Sequence, residues 1–201
     1  GIRMARDFAR ARYFLILIAA TGFFAFPSLI LMPAMAKGVL HGTPETLGFL
    51  LMGVAIGALC GSLLMASLKS PSTLSWWCTR ACVGFGLSVV LFSLARNIGL
   101  GIALAAPVGF FMVTSTISCN SLLQSMVPKA NRSRVMALYT FAIMGIPPFG
   151  SLLAGKLGDL VGTSWSLFFC GCVCAFLAFF LAKRIDGLAP ELRVALERQE
   201  T

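Results

Sequence analysis

The charges of this 201-residue chain divide it into apolar runs, each about as long as a bilayer is thick, and that pattern leaves little room for any other fold. Such runs occupy residues 13–35, 47–68, 74–94, 98–127, 135–157 and 164–182, and none carries Asp, Glu, Lys, Arg or His near its centre. Six crossings of about 20 residues take roughly 120 residues, which leaves only loops and tails. The composition agrees: 58% of residues are hydrophobic and 11% charged, well outside the usage of a water-soluble domain. The expected fold is therefore an all-α membrane protein with a basic cytoplasmic linker at 1–12, a six-helix transmembrane domain at 13–182 and a cytoplasmic tail at 183–201. Tyr13, Trp76, Trp77 and Trp165 fall near predicted span ends, where amphipathic rings sit at the headgroups.

A net charge of +9 would suit nucleic acid if it were gathered on one surface, but the basic residues border apolar runs instead, so the expected partner is the lipid bilayer and not nucleic acid. Counted on alternate sides, thirteen Lys and Arg lie on one side, including Arg3, Arg12, Arg80, Arg132, Arg134 and Lys183, against Lys37, Arg96 and Lys156 on the other. The positive-inside rule places both termini in the cytoplasm, with the inner membrane of a bacterium as the expected location. The Arg-rich start is not read as a signal peptide, because its apolar run exceeds an h-region and five more follow. A start at Gly1 with a basic amphipathic stretch suits a linker entering from an upstream membrane domain, and equally a processed start or the remnant of a tag. At the other end Pro190, Leu192 and Leu196 allow a tail on the membrane surface or a solvated one.

The seven cysteines stand mostly inside apolar runs and read as small hydrophobes. Cys170, Cys172 and Cys174 lack His or Asp company, and on a helix Cys172 points away from the other two, so neither a metal nor a cofactor is expected. A membrane hydrolase fails on inventory: the single histidine, His41, is in a loop, and no carboxylate pair lies at depth. A proton carrier likewise needs an ionisable group at depth, so any coupling acid must lie elsewhere.

Gly61-Ser62-Leu63-Leu64 with Leu68 recurs as Gly150-Ser151-Leu152-Leu153 with Leu157, and the same offset of 89 residues maps the first and third runs near the fourth and sixth. A unit of three helices must be inverted in its second copy, which predicts a 3+3 inverted repeat of the kind transporters use.

Within this frame three runs stand out. Gly53, Gly57 and Gly61 repeat every four residues, a groove for close helix contact inside the domain or with a second six-helix half. The fourth run has a polar half in which Asn120 and Gln124 lie one turn apart; its apolar arc, Met112, Cys119, Leu122, Leu123 and Met126, is expected to face lipid, with the amides meeting another helix or a water-filled cavity. Gly145, Pro147, Pro148 and Gly150 interrupt the fifth run, and each proline frees a carbonyl at depth. Pro27 and Pro33 break the first run, whereas the third and sixth are apolar nearly all round.

From Asn120 onward, Asn120-x-x-Leu123-Gln124-x-x-Val127-Pro128-x-x-x-Arg132-x-Arg134-Val135-Met136, followed by Gly145-x-x-Pro148-x-Gly150 and Gly155, resembles major facilitator superfamily exporters, in the group similar to enterobactin and macrolide efflux proteins. The resemblance covers nearly the whole chain, as that family's C-terminal six-helix half. Ser133 stands where the family usually has Gly in the loop motif of Pro128, Arg132 and Arg134, and the family's Gly- and Asp-containing loop has no counterpart at 69–73. The resemblance implies a secondary transporter, of antiporter type, that exports small amphipathic organic solutes by alternating access, with a second six-helix half as partner. It implies cavity positions at Thr114, Ser118, Asn120, Ser121, Gln124 and Tyr139, with apolar contacts from Phe24 and Phe26, and sliding interfaces at Gly53, Gly57, Gly61, Gly145 and Gly150. The competing reading is a six-span homo-oligomeric channel or scaffold, although no carbonyl filter or charge ring is visible.

Overall fold

The structure, a computed structural model, describes residues 2–68, 71–127 and 129–186. Gly1, Pro128 of the loop motif and the tail beyond 186 lie outside the described residues. The described residues form helices joined by short turns, and six helical stretches are long and apolar enough to cross a membrane: Ala11–Ile30, Pro44–Ser67, Thr73–Ser93, Ile98–Met126, Asn131–Val161 and Thr163–Ile185, hereafter spans 1 to 6. The fold is thus an all-α membrane protein. Arg12, Arg80, Arg132, Arg134, Lys183 and Arg184 collect at one end of the bundle, called here the basic end.

Local chemistry sets the helix boundaries. Span 2 begins with Pro44 in the first turn, where no donor is missed, and the Thr43 N–H donates to Thr46 Oγ1 (3.1 Å). Gly162, at φ 92°, makes the sharp turn between spans 5 and 6 that a side chain would strain.

Span 1 does not continue as one helix to residue 35. It breaks after Phe24, resumes at Pro27–Ile30, and turns through Met32–Ala34 and a π-helical segment, Met35–Val39. Met32, Met35 and Leu40 are buried there beside Leu50, Phe92 and Leu167, so the end of span 1 folds back over spans 2, 3 and 6. Span 5 carries a second π-helical segment, Phe141–Gly145, immediately before its two prolines.

The main contacts between spans are only partly symmetric. Span 2 packs on span 4 and span 5 on span 1; span 3 packs on span 4 and span 6 on span 1; spans 3 and 6 pack on each other. Exchanging 1 with 4, 2 with 5 and 3 with 6 leaves these pairings unchanged, which is consistent with the 3+3 repeat, whereas the packing of span 5 on span 6 and of span 1 on span 3 has no counterpart of similar extent. Four of the close glycine approaches follow the same exchange. Gly109 lies against the Val54 carbonyl and Gly61 against that of Phe110; Gly22 lies against the Ala142 carbonyl and Gly150 against that of Phe23.

These last two approaches explain how broken helices persist in a medium without water. Pro27 has no N–H for the Phe23 carbonyl, and that carbonyl points at Gly150. Across the same interface, Pro147 has none to give and the Ile146 N–H is taken by Phe141 (3.1 Å), so the Ala142 carbonyl points at Gly22. Each freed oxygen meets a glycine Cα–H of the other broken span, a contact of about 0.5–1 kcal/mol that replaces part of the missing hydrogen bond.

One expectation for span 4 is reversed. Cys119, Leu122, Leu123 and Met126 are buried, packed with Phe14, Leu17 and Ile18 of span 1 and Cys78 and Cys82 of span 3. The apolar arc faces the bundle core rather than lipid, since core and lipid are equally apolar and the arc alone does not distinguish them.

Candidate functional site

The exposed side of span 4 runs through Ala103, Phe110, Val113, Ile117, Asn120 and Gln124, at the three- and four-residue steps of one helix face. It is apolar over most of its length and turns polar toward the basic end. There the Gln124 amide donates to Asn120 Oδ1, with Asn120 half-buried and Gln124 exposed. The pair therefore bonds along one helix instead of joining two.

The surrounding hydroxyls are already committed as donors. Thr116 Oγ1 donates to the Met112 carbonyl (2.8 Å), Ser125 Oγ to Leu122 (2.9 Å) and Thr140 Oγ1 to Met136 (3.0 Å). They keep acceptor lone pairs only, whereas Asn120 Nδ2 retains its donors and Gln124 an oxygen and a second N–H. A solute needing both donors and acceptors would find them at these two amides.

The remaining sequence candidates divide by burial. Thr114 and Ser118 are fully buried, which removes them from any open surface: Thr114 Oγ1 sits beside Gly61 without a hydrogen-bond partner, and Ser118 Oγ bonds the Thr114 carbonyl (2.5 Å). The cause is the tight seating of span 4 on the glycines of span 2. Ser121 is half-exposed beside the amides. Tyr139, 5% exposed, donates to the Thr116 carbonyl (2.8 Å) and ties span 5 to span 4 rather than offering its hydroxyl to a solute. Phe26 stacks edge-on against Phe85 of span 3 at 5.8 Å, so it packs within the bundle; Phe24 is half-buried against the same cluster. Thr140 is an exposed hydroxyl that sequence reasoning missed; its place one residue after Tyr139 was the only available signal.

The glycine groove is also filled from within. A methyl group at Gly53 would stand 2.6 Å from the Ile102 carbonyl, one at Gly57 would overlap the Ala106 carbonyl, and one at Gly61 would stand 2.7 Å from that of Phe110. These three glycines seat span 4, so they do not form the expected sliding surface toward a second half. Gly150 and Pro147 are likewise buried against span 1, while Pro148 is exposed and Gly145 half-exposed against the ring of Phe141. Of the loop motif, Arg134 is exposed and Arg132 half-buried, with its Nε shielded and without a partner among the described residues.

Among known proteins, residues 1–192 match the family model described as transmembrane secretion effector. The chain is also 26% identical over 145 residues to the multidrug efflux pump Tap of Mycolicibacterium fortuitum, an alignment covering 72% of this chain and 35% of that pump. It thus spans about a third of that relative's length. A bundle of six apolar helices with two proline breaks, matched over nearly its whole length by one model, identifies the chain as a member of the transmembrane secretion effector family, transporters of the major facilitator type.

Proposed function

We propose that this chain forms one six-helix half of an exporter of small amphipathic organic solutes working by alternating access. The basic end faces the cytoplasm, in the inner membrane of a bacterium, a reading that the uneven distribution of Lys and Arg supports. The second half comes from an upstream segment or a second copy. The coupling acid belongs to that other half, because no span here carries an ionisable group near its centre. Gly145, Pro148 and Gly150 mark where span 5 bends during rocking, and Arg132 and Arg134 border its cytoplasmic mouth.

The observation that carries this reading is the uncharged pair of Asn120 and Gln124 on an otherwise apolar exposed face. Such a surface suits solutes with an apolar body and a few polar atoms, in keeping with the efflux pump to which the chain is similar. In a background free of native cysteines, Asn120→Cys and Gln124→Cys are expected to react with a water-soluble thiol reagent. Leu122→Cys and Leu123→Cys, on the buried arc, are expected to stay unreactive. Equal reactivity at all four positions would remove the amides from the solute path.

A further inference from the structure

A carbonyl oxygen can only accept, so the 2.8 Å contact between Tyr139 Oη and the Thr116 carbonyl fixes the direction of the phenol. Its single proton goes to Thr116, and its oxygen is left as an acceptor. Thr116 lies one turn before Asn120 on span 4, and the Asn120 side-chain amide adjoins the same phenol. An acceptor draws the nitrogen of a neighbouring amide toward itself and turns the amide oxygen away. Asn120 Oδ1 is accordingly the atom that Gln124 Nε2 reaches, on the far side of the amide.

Gln124, Asn120 and Tyr139 thus form one directed chain that ends on the Thr116 carbonyl. Its direction is set at that end, because a backbone carbonyl has no second form. Without the phenol either amide could turn over and exchange nitrogen for oxygen at little cost, since the two ends are nearly the same size. Burial separates the two amides. Asn120 is half-buried and held at both ends, whereas Gln124 is exposed and held at one. Tyr139 itself, 5% exposed, is closed to a solute. The donor of fixed direction on this face is therefore the second N–H of Asn120, beside the apolar Val113 and Ile117.

We infer that Tyr139 is a positioning residue: its oxygen holds the Asn120 amide nitrogen side inward, so that Asn120 meets a solute with an N–H and selects solutes carrying a hydrogen-bond acceptor, such as a ketone or ether oxygen, on an apolar body. The inference deepens the proposed function and rests on it for the solute, but not for the direction of the amide.

Two measurements test it, both on the intact protein that contains this chain. In detergent micelles, with asparagine labelled by a heavy nitrogen isotope, the side-chain amide protons that vanish in Asn120→Leu are those of Asn120. They are expected to show a nuclear Overhauser contact with the Tyr139 ring. If that contact is missing, the amide oxygen faces the phenol and the proposal is overturned, whether or not the protein transports anything. The second measurement compares efflux of a fluorescent amphipathic ketone with that of its counterpart bearing a methylene in place of the carbonyl. The ratio of maximal rate to half-saturating concentration is expected to favour the ketone by roughly fivefold, the worth of one neutral hydrogen bond, and the preference should fall below about twofold in Tyr139→Phe. A merely structural tie between spans would slow both dyes in proportion and keep the preference; that result, or no preference in the wild type, overturns the proposal. Should Tyr139→Phe fail to fold, the amide contact and the wild-type preference remain the two criteria. Export of neither dye counts against the proposed function, and with it the choice of solute, while the amide contact still decides the positioning role.

Discussion

Gly48 and Gly57 stand on one helix, and replacing each by Ala separates propensity from packing. Gly48 is exposed with open space where a methyl group would go, so Gly48→Ala gains helix propensity of up to about 1 kcal/mol and meets nothing. Gly57→Ala gains the same propensity, but its methyl group overlaps the Ala106 carbonyl oxygen and stands 2.7 Å from the carbonyl carbon and 2.9 Å from Phe110 N. All three are backbone atoms and cannot rotate aside. Ordinary contact begins near 3.4 Å, so spans 2 and 4 must part by at least about 0.7 Å. A gap of that size forfeits a quarter to a half of each dispersion contact, and overpacking of this kind costs about 1–3 kcal/mol. The equal propensity gains cancel, so the two substitutions should differ by roughly 1–3 kcal/mol, or about 2–12 °C in Tm for a domain of this size. Thermal melts followed by gel filtration in detergent read the difference directly. Midpoints for G48A and G57A within about 2 °C of each other would refute the argument, because both variants carry the same propensity change. Gly109→Ala strains the same crossing from the other helix, so the double variant with Gly57→Ala should fall short of the summed effects.

Three further outcomes follow from named contacts. Tyr139→Phe removes the bond to the Thr116 carbonyl and should lower stability by about 0.6 kcal/mol and by no more than roughly 1.7; a melt indistinguishable from wild type removes the tie between spans 4 and 5. A membrane-permeant maleimide should modify exposed Cys60 quickly and reach Cys78, Cys82, Cys119 and Cys174 only after denaturation; rapid labelling of those four in the folded protein contradicts the packing of the core. Gly150→Ala, which meets the Phe23 carbonyl left open by Pro27, should destabilise by about 1–3 kcal/mol, while Gly155→Ala, in open space, should be neutral or mildly stabilising; the reverse ranking in a melt contradicts the paired arrangement of the broken spans.

What the sequence discloses and what it hides differ for physical reasons. Spans are legible because a run without charge has to be long enough to cross hydrocarbon, and the prolines announce breaks because a missing N–H is a local fact. The four-residue glycine spacing announces a close approach but not its partner: that Gly57 receives the Ala106 backbone depends on a contact 49 residues away. Orientation of a helix face is harder still. Periodicity groups Cys119, Leu122 and Leu123 on one arc, yet core and lipid solvate that arc equally well, and only the seating of span 4 on spans 1 and 2 turns it inward. The same seating buries Thr114 and Ser118 and leaves Asn120 and Gln124 outside. A list of polar residues on one helix was thus too long by those members whose hydroxyls satisfy themselves on the helix backbone or rest against a glycine. The exchange of freed carbonyls between spans 1 and 5 joins residues about 120 positions apart and has no sequence signature at all.

In the proposed function, the face bearing Asn120 and Gln124 handles an organic solute in an exporter. Its most direct test is the initial rate of efflux of a fluorescent amphipathic dye, measured against dye concentration, from cells producing the intact protein that contains this chain. Saturable efflux is predicted, with a half-saturating concentration that shifts by roughly tenfold in Asn120→Leu/Gln124→Leu while the protein stays folded and in the membrane. Efflux that rises linearly without saturation, or that is unchanged in the double variant, would contradict the account.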